Sequence, residues 1–442
     1  MVTAVYVPRW GITMENATIV AWLVEEGMPV VNGQDLVEME TEKIVNVVQA
    51  PAGGVLRCIL VPKGETAPVG AILGVISEAG EAFDLDALRG AGPQVQAAGP
   101  GERQQREGRP AEKNQRGRVR ASPPARRLAE EHGLDLAVLE GTGPEGSVSR
   151  DDVDRAIAAA VARSLKEGDQ TVEGVLLHYV SAGGEGSGLK ASSIPVVLVH
   201  GIAGSTLLWQ ANLSAIGARH KVFAVDLPGH GRSGKPGGRY DIDLFTRSLL
   251  GFLDACGLER VVLAGHSLGG HVCLKLALER PGRIAKLVLI DSGGLGPEID
   301  VGFLKPLLAG VTREAAETML RGLFAKPAMV NRSMVEATFE ALSRPGAWEA
   351  VRSAVESAVP RGVQVESLAG RLSELRVPVL IAWGAMDAVI PLARGKVALS
   401  SLPGAELWVA ENAGHCPQIE AASDFNDRLL KFLQSPTAGS TP

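Results

Sequence analysis

The stretch VVLAGHSLGGHVCLKLA, residues 261–277, decides the fold of the largest part of this chain. It opens with β-branched and aliphatic residues, as a buried strand does, and continues at once as an apolar helical pattern. Between the two lies Gly-His-Ser-Leu-Gly, which is typical of a sharp turn that presents a serine, Ser267, above the end of a sheet. Glycines on both sides of the serine leave room for so tight a backbone. The pattern predicts a nucleophile, with the unpaired amide of Leu268 available to an oxyanion.

Further strands alternate with helical patterns on both sides of this stretch, between residues 172 and 436. Apolar strands without polar alternation are typical of a parallel sheet that is buried on both faces. An antiparallel hairpin, VEGVLLHYVSAG, is expected at its edge. Residues 295–368 interrupt the alternation with helical patterns and no strand, which predicts a helical cap over the C-terminal edge of the sheet. The remaining strand-like segments are VVLVHG, KVFAVDL, AKLVLIDS, PVLIAWG and AELWVA.

Two polar residues follow the last strands of this predicted sheet. Asp387 stands in WGAMDAVIP after the penultimate strand, and His415 stands in NAGH after the last one. Because parallel strands end at one edge, we expect Ser267, Asp387 and His415 to converge there. The histidine would take the serine proton, and the aspartate would fix the imidazole tautomer. Asp291 also ends a strand and is the rival acid.

Residues 172–434 closely resemble the α/β-hydrolase family, through Gly-His-Ser-Leu-Gly, the serine-aspartate-histidine order and the segment His-Gly-Ile-Ala-Gly. The resemblance implies that the triad just described is catalytic. It also implies an oxyanion hole made by the backbone amides of Ile202 and Leu268. His266 and His271 flank the serine, and we expect neither to act directly.

Residues 1–78 alternate in short strand-like segments broken by glycines, and the two halves resemble each other. Such a quasi-repeat predicts a flattened all-β barrel of two similar sheets. The segments VPRWGITME, ETEK and APAGGV resemble the lipoyl-domain family. That resemblance implies lipoic acid in amide linkage to the hairpin lysine, Lys43. Its neighbours Glu42 and Ile44 stand where the related biotinyl domains carry methionines.

Residues 79–117 are predicted to be a flexible linker. From residue 90 to residue 117 the one bulky apolar side chain is Val95, so this segment cannot form a core. Residues 118–157 contain two helical patterns with N-cap signals on either side of the glycine-rich GTGPEG. They predict a small two-helix domain. Residues 158–171, which end in KEGDQT, are predicted to be a second linker.

The two-helix segment resembles the peripheral subunit-binding domain of 2-oxo-acid-type dehydrogenase complexes, through SPPARRLA, GTGPEG and DDV. Family members often carry further basic residues where this chain has Glu130 and Ser147. The resemblance implies that basic side chains of this domain bind acidic surfaces of partner enzymes. The candidates are Arg126, Arg127 and Arg150.

A lipoyl domain, a subunit-binding domain and a catalytic domain, in this order, resemble the E2 acyltransferases of dehydrogenase complexes. The usual E2 motif, H-x-x-x-D-G, occurs nowhere in this sequence, and the hydrolase-like part stands in its place. That combination resembles the acetyltransferase family of acetoin dehydrogenase complexes. It implies transfer of an acetyl group from a dihydrolipoyl arm on Lys43 to coenzyme A through Ser267. It also implies a thiamin-diphosphate E1 and a flavoprotein E3 as partners, and a homo-oligomeric core.

Composition limits the alternatives. A net charge of −6 over 442 residues gives no sign of nucleic-acid binding. Four scattered cysteines without a CxxC pair indicate neither a disulfide framework nor a metal site. Without a secretory signal or a long apolar segment, we expect a cytoplasmic protein that does not bind membranes. Two other functions stay open: a lipoylated thioester or ester hydrolase, and a non-catalytic lipoyl carrier scaffold.

Overall fold

The computed structural model describes residues 2–8, 16–31, 34–40, 45–78, 119–184, 187–190 and 192–435. The chain divides into two compact units, one of residues 1–106 with 331–334 and the other of the remaining residues. The linker predicted at 79–117 and the attachment residue predicted at Lys43 lie outside the described residues. None of the described helices is long and apolar enough to cross a membrane.

The first unit is built from two antiparallel sheets of four strands each. The strands are β1 Thr3–Tyr6, β2 Asn16–Trp22, β3 Pro29–Val30, β4 Asp35–Glu40, β5 Val45–Gln49, β6 Gly54–Ile59, β7 Thr66–Pro68 and β8 Ile72–Ser77. One sheet has the order β1-β8-β6-β3 and the other β5-β4-β2-β7. Ile19 and Leu36 from one sheet share a core with Leu56 and Leu73 from the other. This arrangement confirms the flattened barrel that the quasi-repeat predicts.

The second unit is organised around one sheet of eight strands. They are β9 Lys166–Val172, β10 Val175–Ala182, β11 Ser192–Val199, β12 His220–Val225, β13 Val261–His266, β14 Ile284–Ile290, β15 Val379–Gly384 and β16 Glu406–Ala410. Their order is β16-β15-β14-β13-β11-β12-β10-β9. All neighbours from β16 to β12 pair in parallel, whereas β10 pairs antiparallel with both β12 and β9. The antiparallel hairpin at the edge is therefore where the sequence predicts it.

Helices cover both faces of this sheet. They are α1 Pro123–His132, α2 Arg150–Ser164, α3 Gln210–Gly217, α4 Ile242–Ala255, α5 Leu268–Glu279, α6 Lys305–Ala309, α7 Arg313–Leu323, α8 Arg332–Leu342, α9 Ala347–Ala358, α10 Leu392–Ser400, α11 Pro417–Glu420 and α12 Ala422–Gln434. Alternate residues of β11 enter opposite cores, as the two-residue period of a strand requires. Val197 and Val199 pack with α4 and α5, and Val196 and Leu198 with α3 and α12.

Helices α6 to α9 all fall between β14 and β15. The described chain forms no strand between those two, so this segment adds helices without widening the sheet. Buried residues of α9, among them Ala350 and Ala354, belong to the core on the α4–α5 face of the sheet. The helical cap predicted from the sequence is therefore present.

The small two-helix domain is held together by one aspartate. Asp152 accepts hydrogen bonds from the amides of Thr142 (3.0 Å) and Ser149 (2.8 Å), and from the Thr142 hydroxyl at 2.7 Å. Burial alone would raise its pKa, but these bonds lower the pKa of Asp152 to about 2. The glycine-rich loop must pass close by, because a Cβ on Gly141 would lie 2.3 Å from the Gly146 carbonyl oxygen.

The prediction of a linker at residues 158–171 is wrong. Helix α2 continues to Ser164, and strand β9 begins at Lys166. The helix persists because Ile157 and Val161 are buried in the same core as the sheet residues. The polar sequence KEGDQT nevertheless forms a strand, because β9 is the edge of the sheet and its polar side chains can face solvent.

Specific contacts fix the helix pair, α1 with α2, on the hydrolase fold. The Nδ1 atom of the buried His132 ring donates a hydrogen bond to the Ala218 carbonyl oxygen at 3.0 Å. Glu131 forms an ion pair with Arg219. The amide of Lys190 donates to the His132 carbonyl oxygen at 2.9 Å. The helix pair is thus part of the catalytic unit and shares its hydrophobic core.

We predict that Val161→Asp destabilises the hydrolase fold as well as the helix pair. A Cβ on Gly217 would lie 3.0 Å from the Val161 side chain, so the substitution buries an unpaired carboxylate at the interface. Tryptophan fluorescence reports mainly the hydrolase fold, because four of the six tryptophans, including the buried Trp209 and Trp383, lie there and residues 119–164 contain none. We expect the thermal midpoint to fall by at least about 5 °C.

The matched control is Ala159→Asp, which introduces the same charge at an exposed position of the same helix. It should leave the midpoint unchanged. If Val161→Asp behaved like this control, the helix pair would be tethered to the hydrolase fold without being packed on it.

Candidate active site

Ser267 lies at the turn between β13 and α5 with a φ of 53°. A non-glycine residue in this region is strained and persists only when its surroundings hold it. Here strand and helix are too close for side chains. A Cβ on Gly265 would lie 2.3 Å from the Gly269 carbonyl oxygen, and one on Gly269 would lie 2.3 Å from the Val199 carbonyl oxygen. These glycines therefore permit the strained turn.

Hydrogen bonds hold the strained residue from several sides. The Ser267 amide donates to the Ile290 carbonyl oxygen at 2.9 Å. The Ser267 carbonyl oxygen accepts from the amides of Gly270 and Gly293, both at 3.0 Å, and of His271 at 3.2 Å. The end of the neighbouring strand β14 and the loop after it thus fix the backbone of the serine.

Ile202 and Leu268, the residues predicted to form the oxyanion hole, line the same small cavity as Ser267. The loop that contains Ile202 passes directly over the turn, because a Cβ on Gly201 would lie 3.0 Å from Cβ of Ser267. Within the described residues, neither the Ile202 amide nor the Leu268 amide donates to a backbone acceptor. Both amides are therefore available to a negatively charged oxygen.

His415 and Asp387 form a buried pair. The Nδ1 atom of His415 lies 2.9 Å from Oδ2 of Asp387, and the second oxygen of that carboxylate accepts the amides of Val389 (2.7 Å) and Ile390 (3.0 Å). Burial opposes ionisation of Asp387, but the neighbouring imidazole and these donors hold its pKa below the ordinary value. An ionised Asp387 keeps the proton of the neutral imidazole on Nδ1, which leaves Nε2 to accept another.

Asp291, the rival acid, is also buried at this edge of the sheet. It does not take the place of Asp387 on the imidazole, because Asp387 is the partner of His415 Nδ1. Its Oδ1 accepts the Gly384 amide at 3.0 Å. Asp291 is therefore a neighbour of the histidine-aspartate pair and does not replace either member of it.

His266 has a supporting role that its position in the sequence does not reveal. Its Nε2 donates to the His415 carbonyl oxygen at 2.6 Å, and the two rings lie 4.8 Å apart between centroids. Burial lowers the pKa of His266 to about 3, so the ring stays neutral and holds the His415 backbone. Burial likewise lowers the pKa of His271 to about 4.

A small apolar cavity adjoins the serine. It encloses about 30 Å³, and its walls come from the oxyanion loop, the turn and the cap. A larger groove of about 590 Å³ shares Ile299 and Val389 with this cavity. The cap residues of the wall were not predicted, because any apolar side chain can line a cavity. They are Ile299, Val301, Phe303, Leu304, Val355, Ala358 and Val359.

The arginines predicted to bind a partner lie elsewhere, on the exposed surface of the helix pair. Arg126 and Arg127 are in the first turns of α1, and Arg150 is the first residue of α2. A β-bridge between Ala121 and Val148 holds the two helix starts side by side. The three basic residues therefore share one end of the helix pair.

Three family models match separate parts of the chain. A model described as biotin-requiring enzyme matches residues 3–76, and one described as e3 binding domain matches residues 119–154. A model described as alpha/beta hydrolase family matches residues 196–428, which is more than half of the chain.

Known proteins resemble this chain over nearly all of its length. The dihydrolipoyllysine-residue acetyltransferase component of the acetoin cleaving system of Pseudomonas putida is 33% identical over 97% of each chain. The component of the same name from Cupriavidus necator is 28% identical, over 97% of this chain and 96% of its own. Among solved structures, a 2-hydroxy-6-oxo-6-phenylhexa-2,4-dienoate hydrolase from Rhodococcus sp. shares the fold of the large domain. It matches with a TM-score of 0.55 and 24% identity, over 61% of this chain and 99% of its own. This chain therefore belongs to the family of dihydrolipoyllysine-residue acetyltransferase components of acetoin cleaving systems, and its largest part is an α/β-hydrolase domain.

Proposed function

We propose that this protein transfers an acetyl group from a dihydrolipoyl arm to coenzyme A, and that Ser267 carries the group between them. The observation that carries the proposal is the buried His415–Asp387 pair, which His266 joins to the strained turn of Ser267. It occurs in a chain that also contains a lipoyl-type barrel and an E3-binding domain. Such a chain has an acyl donor of its own, which an ordinary hydrolase lacks.

The barrel can present that donor. Strands β4 and β5 pair as antiparallel neighbours up to Glu40 and Val45, and Lys43 stands between these two residues in the sequence. Lipoic acid on Lys43 would supply a thioester when its reduced arm carries an acetyl group.

We infer acyl transfer to the serine from the chemistry of these residues. Ser267 Oγ attacks the thioester carbonyl carbon while His415 Nε2 takes the hydroxyl proton. The amides of Ile202 and Leu268 stabilise the oxyanion, each contributing about 3 kcal/mol to barrier lowering. His415 then gives its proton to the departing thiolate, which leaves an acetyl ester on Ser267. Asp387 stabilises the imidazolium during both proton transfers.

The second half of the reaction reverses these roles. His415 takes the proton of the coenzyme A thiol, and the resulting thiolate attacks the acetyl ester. When the intermediate collapses, His415 returns the proton to Ser267 Oγ. The enzyme is thus restored, and one thioester has been exchanged for another.

The small apolar cavity favours a short acyl group, because its volume of about 30 Å³ leaves little room beside the serine. Ser267 and His415 are both buried, which restricts the approach of water to the acetyl ester. These features support transfer over hydrolysis. A lipoylated thioester hydrolase is the second candidate, because solved structures with this fold include hydrolases.

We predict that the purified chain, given S-acetyldihydrolipoamide and coenzyme A, forms acetyl-CoA as its main product, because a thiol is the intended acceptor. Acetyl-CoA and free acetate are measured together by chromatography. Acetate as the sole product would contradict the transferase and support the hydrolase. Absence of turnover, unchanged in Ser267→Ala, would support the carrier scaffold.

Two variants separate the chemistry from the carrier. Ser267→Ala should abolish transfer from the free substrate. Lys43→Arg should retain that transfer, while its intact mass lacks the lipoyl modification of the wild-type protein expressed with lipoate. A wild-type protein without this modification would remove Lys43 from the proposal.

We further propose that the basic end of the helix pair binds an acidic surface of the flavoprotein E3, dihydrolipoamide dehydrogenase. Arg126, Arg127 and Arg150 lie together there, exposed to solvent. A thiamin-diphosphate E1 that cleaves acetoin would supply the acetyl group. The homo-oligomeric core and the cytoplasmic location stay predictions.

We predict that Arg127→Glu weakens binding of E3 several-fold at low ionic strength, because it places like charges opposite each other. Titration calorimetry measures the affinity. Arg163→Glu, the same charge change at an exposed position near the other end of α2, should bind E3 as the wild type does. Equal affinities for the two variants would exclude this surface.

A further inference from the structure

Asp291 is a buried carboxyl group whose oxygens are unequally satisfied. It follows β14 with a φ of 42° and is fully buried. Its Oδ1 accepts the Gly384 amide at 3.0 Å. Its Oδ2 is buried and receives no hydrogen bond from an N–H or O–H donor among the described residues. A buried carboxylate oxygen without a donor is costly, so this oxygen needs an explanation.

In two neighbouring carboxyl groups, both oxygens accept hydrogen bonds. Asp387 accepts hydrogen bonds from the imidazole of His415 and from two backbone amides. Glu420 accepts the Gly414 amide at 2.7 Å and the Ala325 amide at 2.8 Å, one on each oxygen. Asp291 is therefore the one of the three carboxyls whose donors do not suffice for an anion.

Asp291 and Asp387 lie close enough together for their charges to oppose each other. An oxygen of each carboxyl and a ring nitrogen of His415 all lie within 4.8 Å of one another. No lysine or arginine in the described chain forms an ion pair with Asp291. Burial and the charge of Asp387 raise the pKa of Asp291 well above its ordinary value. The titratable groups around Asp291 are Asp387, His415, Cys416, Glu420 and His266.

We propose that Asp291 is a positioning residue. It remains a neutral carboxylic acid and donates a hydrogen bond from its Oδ2 hydroxyl to the carboxylate of Asp387. This hydrogen bond gives Oδ2 of Asp291 a partner and gives Asp387 a further hydrogen-bond donor. Asp387 then shares its negative charge among four donors, so it attracts a proton on His415 less strongly. The acid limb of the pH profile, which reports loss of a proton from the catalytic base, consequently lies at a lower pH. The inference rests on the proposed roles of Asp387 and His415.

The neutral isostere Asp291→Asn tests the protonation state. Asn can still accept the Gly384 amide and can donate to Asp387 through Nδ2. We expect the acid limb of the pH profile of kcat/KM, measured with S-acetyldihydrolipoamide and coenzyme A, to stay within about 0.3 pH units of the wild type. If Asp291 were ionised, Asn would remove a negative charge close to His415, and the limb would fall by about 1 unit or more. That result would overturn the proposal.

Asp291→Leu removes the donor. Asp387 then has one hydrogen-bond donor fewer and attracts the imidazolium more strongly. We therefore expect the acid limb of the kcat/KM profile to move up by about 0.5–1 pH unit. A purely structural role for Asp291 would lower the thermal midpoint and leave the limb in place, which would contradict the proposal.

Infrared difference spectroscopy gives a readout that needs neither turnover nor the leucine variant. Wild-type protein at pH 8 should show the C=O stretch of a protonated carboxyl, and Asp291→Asn should lack it. Glu420→Gln, which removes a carboxyl whose two oxygens each accept a backbone amide, should keep the band. Absence of the band from the wild type, or its persistence in Asp291→Asn, would overturn the proposal. Because the band reports protonation alone, it stays informative even if Ser267 proves not to be a nucleophile.

Discussion

The catalytic unit depends on the strained backbone of Ser267, which requires close packing on every side. Strand β13 and helix α5 meet so tightly at this turn that Gly265 and Gly269 have no room for a side chain. The Ser267 amide donates to Ile290 and the Ser267 carbonyl oxygen accepts from Gly293, so these bonds join the end of β14 and the loop after it to the same residue. Ser267, the loop over it and the end of β14 form one packed element, and β15 and β16 end at the same edge of the sheet, where Asp387 and His415 follow them.

Charge is the second constraint on this site. Asp387 and Asp291 lie close to the imidazole of His415, and the partly buried Glu420 lies near them; of these three carboxyl groups, two have a donor on each oxygen among the described residues. Asp387 and Glu420 take those donors, and we infer that Asp291 keeps its proton. His266 adds a neutral hydrogen bond to the backbone of His415. The proposed neutral Asp291 thus acts on His415 through Asp387.

The sequence predicts the residues whose chemistry demands a particular side chain at a particular strand end. Ser267, Asp387 and His415 belong to this class, because few other residues can occupy those positions and act. Other features were not predictable for physical reasons. The polar segment 166–172 resembles a loop, yet it pairs as an edge strand. The cavity wall needs only apolar bulk, and His266 binds a backbone carbonyl, which no sequence pattern reveals.

The most direct test of acyl transfer through Ser267 is to trap the acetyl-enzyme. The protein is mixed with S-acetyldihydrolipoamide in the absence of coenzyme A, quenched in acid, digested and analysed by mass spectrometry. We predict that the peptide spanning Ser267 gains one acetyl group, that Ser267→Ala gains none, and that coenzyme A removes the group at least as fast as turnover. Formation of acetyl-CoA with Ser267 unmodified at every quench time would contradict transfer through this serine.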